Sequence, residues 1–214
     1  RNMTSLFSSA GLMQMLLSLP GIILAITFHE MAHGYAAESM GDDTAKLAGR
    51  LSPNPLKHLD PIGFLSMLIF HFGWAKPVPV NPSRFRNRRK GMIVVALSGC
   101  VTNLLLGFIS MAAMYATQGL GNIYLQIILM YMTMYNIMFG VFNLIPIPPL
   151  DGADVLAEFL PYKARVSYMK FSRYGMIVLL AMMVFGLFGY IITPIVNWIY
   201  QFYGWILGMI FGAF

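Results

Sequence analysis

Apolar residues run along this chain in long stretches, and its polar residues fall in short blocks between them. Four stretches, at 11 to 37, 91 to 117, 122 to 146 and 174 to 200, match or exceed the roughly 20 residues that cross a bilayer as a helix. A fifth, 203 to 214, is short for a span. The first stretch contains His and Glu and has no basic leader beyond Arg1, so it reads as a retained span rather than a removed signal. Between positions 38 and 90 the pattern changes. An apolar stretch from Pro61 to Gly73 is too short to span, and the segment Trp74 to Pro82 carries prolines at 77, 79 and 82 that oppose a helix. That segment is predicted to be extended, as part of a small β-hairpin. Pro77 and Pro79 lack donors on one edge, while Lys76, Val78 and Val80 keep theirs on the other. Such an edge fits either a plain structural hairpin or one that captures an extended peptide.

The predicted fold is therefore an all-α polytopic membrane protein, a bundle of about four to six transmembrane helices with a re-entrant segment and a small hairpin. Composition agrees: 58% of the 214 residues are apolar and 10% charged, against about 25% charged in soluble domains. A single domain over 1 to 214 is expected, with a core at 11 to 160 and C-terminal helices at 161 to 214 as a candidate gate. One cysteine, Cys100, excludes an internal disulfide. The net charge of +6 comes from Lys and Arg grouped, apart from Arg1, at 38 to 60, 74 to 90 and 160 to 173. Blocks between apolar runs point to membrane orientation rather than to nucleic acid. The positive-inside rule puts all three blocks in the cytoplasm and the N-terminus outside, as expected for a multi-pass protein of the cytoplasmic membrane. With its flanks on one side, 61 to 73 becomes the re-entrant piece.

The first span holds His29-Glu30-Met31-Ala32-His33. Two His at i and i+4 share one helix face, where two neutral imidazoles can bind one Zn²⁺ and the adjacent Glu30 can serve a water as general base. Ionisable residues inside an apolar span are costly and point to function. A hydrolytic zinc site needs a third ligand and an open position. His58 and His71 are candidates from the connector, but Asp151 is better placed. It follows Pro146, Pro148 and Pro149, which stop the third span, and its depth matches that of His33. On spacing alone Asp151 also suits the N-cap of a helix 152 to 160. Asn103 and Asn143 lie at the same level and can either donate to a substrate carbonyl or its oxyanion, or bridge helices.

Together with Gly49 to Pro55 and Trp74 to Pro82, the His29–His33 motif and the Asn143 to Gly152 segment resemble the site-2 protease family of intramembrane zinc metallopeptidases, in a short prokaryotic form. The resemblance covers most of 25 to 160. It implies that His29, His33 and Asp151 bind one Zn²⁺ per chain, that Glu30 activates water, and that the Pro-containing segment helps receive unwound substrate. It further implies an endopeptidase that cuts single-span membrane proteins near the cytoplasmic face of the bilayer, such as tethered signalling factors or residual signal peptides. The family's second core helix commonly reads G-P-x-x-N, whereas this chain has Gly99-Cys100-Val101-Thr102-Asn103. The alternative, a non-proteolytic membrane metal-binding or transport protein, needs a polar path that these spans lack outside their cytoplasmic third. Di-iron histidine-box chemistry needs more than the four histidines present.

Overall fold

In the computed structural model, residues 8–70 and 73–212 are described. Eight α-helices appear among them: α1 Ser9–Met40, α2 Thr44–Leu47, α3 Pro61–Phe70, α4 Arg88–Ala116, α5 Ile123–Asn143, α6 Asp151–Phe159, α7 Tyr162–Val184 and α8 Leu187–Phe211. Three of them, α1, α4 and α5, are long and apolar enough to cross a membrane, and α7 with α8 makes a fourth span if that bent pair counts as one. These several apolar helices mark a multi-pass membrane protein. The helix α3, at ten residues, extends about 15 Å, half of a bilayer core.

Asparagine side chains cap the starts of two of the long helices. Asn87 accepts from the Lys90 N–H at 3.0 Å to open α4, and Asn122 accepts from the Leu125 N–H at 3.2 Å to open α5. Helices α1, α4 and α5 pack on one another as a three-helix core. On its outer side α8 joins α5, burying Ile192 and Val196 against Ile137 and Val141. Here two sequence expectations need correction. The run 174 to 200 is not one helix, because Gly186 takes a left-handed conformation (φ 69°) that ends α7 and starts α8 at 82° to it. The run 203 to 214 is not a separate element either, since α8 carries through it to Phe211; its last two residues lie outside those described.

The hairpin is also corrected. Among the described residues there is no β-strand, and the pairing is one antiparallel bridge between Leu59 and Ala75. The reason lies in where the donors go. Pro77 and Pro79 have none, Lys76 N–H donates to His58 O (2.9 Å), and Asn81 N–H donates to the Asp42 carboxylate (2.6 Å), so no ladder can form. Asp42, wholly buried just past the end of α1, also accepts from the backbone and hydroxyl of Thr44. Burial alone would raise its carboxyl, but the Asn81 and Thr44 donors outweigh that and hold it below the ordinary range. One carboxylate thus pins the extended segment to the end of α1.

Candidate metal centre

His29 and His33 lie one turn apart on α1, and their Nε2 atoms are 3.0 Å from each other. Asp151 arrives from the far end of α5. That helix stops at Asn143, and Pro146, Pro148 and Pro149 delay the next helix until Asp151 itself. Leu150 holds the N-cap position of α6, so the carboxylate of Asp151 is not used as a cap. Instead its Oδ2 lies 3.1 Å from His29 Nε2 and 3.3 Å from His33 Nε2. The three ligand-capable atoms fall within 4.8 Å of one another.

The far side of each ring decides what the near side offers. His33 Nδ1 is 2.7 Å from the Val95 carbonyl, an acceptor only, so Nδ1 carries the proton. His29 Nδ1 is 2.7 Å from Asn103 Oδ1, while Asn103 Nδ2 donates to Ala25 O and to Asn136 Oδ1, both at 3.0 Å. That assignment leaves His29 Nδ1–H as the donor to Oδ1. Both Nε2 atoms therefore present lone pairs, and they converge with a carboxylate oxygen. Three acceptors at this spacing repel unless a cation lies among them, and two imidazoles with one carboxylate form a donor set that zinc takes. These residues fit the ion. Gly99 of α4 makes room for the ring, since a Cβ there would come within 2.6 to 2.8 Å of His29 ring atoms.

Glu30 is 9% exposed, and its Oε2 accepts from the Val78 backbone N–H at 2.8 Å. Of the edge donors expected at Lys76, Val78 and Val80, two are therefore engaged, one by His58 O and one by Glu30 itself. A cavity of about 650 Å³ is lined by His29, Glu30, His33, Asp151, Asn143 and Val78, with Met176 and Leu179 of α7 closing one wall. Tyr168 on α7 donates to Pro146 O at 2.9 Å and ties that wall to the proline turn. Asn143 spends one N–H on Phe139 O (3.0 Å) and keeps the other. Asn103 is wholly buried behind His29 and is not among the lining residues. Asp154, on the same cavity, has its carboxyl pushed up by burial and by the charges of Asp151 and Glu158.

His58 is buried in the connector with Nε2 on Ser52 O (2.8 Å), apart from this group, and His71 lies outside the described residues. At Cys100, where the family resemblance leads one to expect a proline, α4 runs unbroken. The Cys100 thiol donates to Asp151 Oδ2 at 3.7 Å. Two supporting groups escaped the sequence reading. Asn136 had a usable signal, an amide inside an apolar span, whereas the Val95 carbonyl has none.

Comparison with known proteins agrees with this geometry. The family model described as Peptidase family M50 matches residues 119–186, from before α5 to the α7–α8 break. The Bacillus subtilis protein named "Putative zinc metalloprotease YwhC" is 37% identical over 186 residues, 82% of this chain and 84% of the relative. The chain belongs to peptidase family M50. Two mycobacterial proteins named "Putative zinc metalloprotease Rip2" are also similar. The one from Mycolicibacterium smegmatis is 24% identical over 197 residues (89% of this chain, 72% of the relative), and the one from Mycobacterium tuberculosis is 23% identical over 211 (96% and 74%). No solved structure matches the chain. As a member of M50, the site-2 protease family, it is a zinc metalloprotease.

Proposed function

We propose that this M50 protein is an intramembrane endopeptidase that cleaves the spanning segments of single-span membrane proteins near the cytoplasmic face, in regulated proteolysis or signal-peptide clearance. The observation that carries this reading is the placement of the His29, His33 and Asp151 group. Its two histidines are buried on a span-length apolar helix, the half-buried Asp151 meets them from the start of α6, and the group opens on a cavity. The basic blocks favour a cytoplasmic active site, an external N-terminus and the inner membrane. The half-length helix α3 fits a re-entrant segment. One functional unit over the whole chain is supported by the α7 wall, which makes the C-terminal helices a natural gate.

His29, His33 and Asp151 would hold the zinc ion. When bound, zinc supplies Lewis acidity, polarising a carbonyl and making a water acidic enough to lose its proton near neutral pH. Glu30 takes the proton of the attacking water and passes it to the leaving amide nitrogen. Asn143 offers its second N–H to the developing oxyanion, and Asn103, with no donor to spare, positions His29. Of the edge Lys76, Val78 and Val80, the Lys76 N–H stays on His58 O, and the N–H groups of Val78 and Val80, which line the cavity, receive the unwound substrate. A substrate carbonyl that takes the Val78 N–H displaces the Glu30 carboxylate and frees it for water.

The test compares metal content and cleavage of a generic single-span substrate in detergent. Wild type should carry about one zinc, Asp151→Ala should lose it, and Glu30→Gln should keep it while cleavage falls by at least about a hundredfold. Cleavage at the wild-type rate by zinc-loaded Glu30→Gln would refute the assigned roles. Cleavage confined to soluble peptides would refute the substrate class.

A further inference from the structure

A second cavity, of about 550 Å³, shares no lining residue with the metal centre. Arg88 and Arg89 from the first turn of α4, Glu158 and Phe159 at the end of α6, Leu160, Pro161 and Arg165 of α7 line it. Its charge does not balance. Glu158 is buried and held through both oxygens by Arg165 (Nη1 to Oε2, 3.0 Å), so that pair cancels. Arg88 and Arg89 then remain as two guanidinium groups with no carboxylate partner among the described ion pairs. Arg89 is already placed, with its guanidinium 5.5 Å from the centre of the Phe159 ring, a contact that consumes no N–H donor.

The chemistry that answers two free guanidinium groups is a phosphate, which each can grip with paired N–H bonds. The location names the source. The cavity opens where the span-length helix α4 begins, the end of a span that meets lipid headgroups, and its lining carries an exposed apolar ring, Phe159 at 62%. A zwitterionic headgroup brings its own cation and leaves the arginines uncompensated, whereas an anionic headgroup neutralises them. We propose that this cavity seats the phosphate of an anionic phospholipid, which thereby links α4, α6 and α7. Because α6 runs from Asp151 to this cavity, the lipid braces the helix that presents Asp151 to the two histidines.

The experiment uses the full chain in nanodiscs of phosphatidylcholine with a minor fraction of phosphatidylglycerol, with retained lipid read by native mass spectrometry. Wild type should retain phosphatidylglycerol about tenfold over its share, and Arg88→Gln with Arg89→Gln should abolish that preference. Lys163→Gln with Lys170→Gln removes the same charge from exposed positions outside the cavity and should leave it intact. Millimolar inorganic phosphate should not compete. Equal retention of the two lipids by wild type overturns the proposal. So does an equal loss in both double variants, which would mean diffuse attraction, and so does displacement by inorganic phosphate, which would mean a small-anion site. The wild-type comparison needs no variant and stands even if the arginine variant fails to fold.

Discussion

Adding one methyl group to the floor of the metal centre tests whether the His29 ring is seated as described. An alanine at position 99 would bring its Cβ within 2.6 to 2.8 Å of three ring atoms. To regain ordinary contact at 3.4 Å the ring must withdraw by about 0.6 to 0.8 Å. It has nowhere to go. One direction stretches the 2.7 Å bond to Asn103 past the about 3.2 Å limit of a good hydrogen bond, and another presses on Phe139, whose ring centre is already 4.9 Å away. Overpacking of this kind costs about 1 to 3 kcal/mol. Displacing the partner that orients a ligand weakens metal affinity by about ten- to a hundredfold, or about 1.4 to 2.7 kcal/mol. Zinc affinity of Gly99→Ala, measured by chelator competition in detergent, should fall by that factor, and thermal stability of the zinc-free protein should fall too. Gly119→Ala is the control, since a Cβ there meets nothing within 4 Å, and it should match wild type. Zinc affinity for Gly99→Ala within twofold of wild type would refute the described ring position and the tautomer assignment that depends on it.

Further expectations concern the layers around the site. Asn136→Ala should leave an Asn103 N–H buried without an acceptor, at a cost of about 1 to 3 kcal/mol, and should weaken zinc binding less than Asn103→Ala does; chelator competition ranks the two, and the reverse order would show that Asn136 does not act through Asn103. Asp42→Asn tests the pin between α1 and the extended segment. Because the folded carboxyl of Asp42 sits below its ordinary value, its contribution is present above about pH 4 and is lost as pH falls through the folded value. The stability gap between wild type and Asp42→Asn should therefore narrow on acidification from pH 7 to 3 in thermal unfolding; a gap that widens would show that the charge opposes folding.

The convergence of His29, His33 and Asp151 is legible in the sequence because the strongest rules behind it are local. A helix alone brings His29 and His33 to one face, and a run of prolines alone ends α5 before Asp151. The positions of the first three spans are legible for the same reason. What stayed hidden depends on partners distant in the chain. Alternation told which N–H groups of 76 to 80 share an edge, but not that the one at Val78 would meet a carboxylate on α1 in place of a strand. Asn103 could be placed at the right depth, yet only its neighbours Ala25 and Asn136 reveal that its donors are spent. The break at Gly186 was masked because apolar residues continue through it, and a hydropathy run measures greasiness without measuring direction. The start of α7 coincides with the basic block 160 to 173, since a helix end carries long basic side chains readily.

The metal centre is held by α1, by the turn after α5, by carbonyl and amide groups of α4 and α5, and it faces a wall from α7. No contiguous piece of the chain contains it. An ion that binds only the assembled arrangement stabilises that arrangement by mass action, in proportion to the logarithm of its concentration. Zinc occupancy therefore counts correctly folded molecules in a detergent preparation, where a solubilised membrane protein offers few other signs of its state. A purification scheme that maximises bound zinc per chain would select for the intact bundle before any substrate is known.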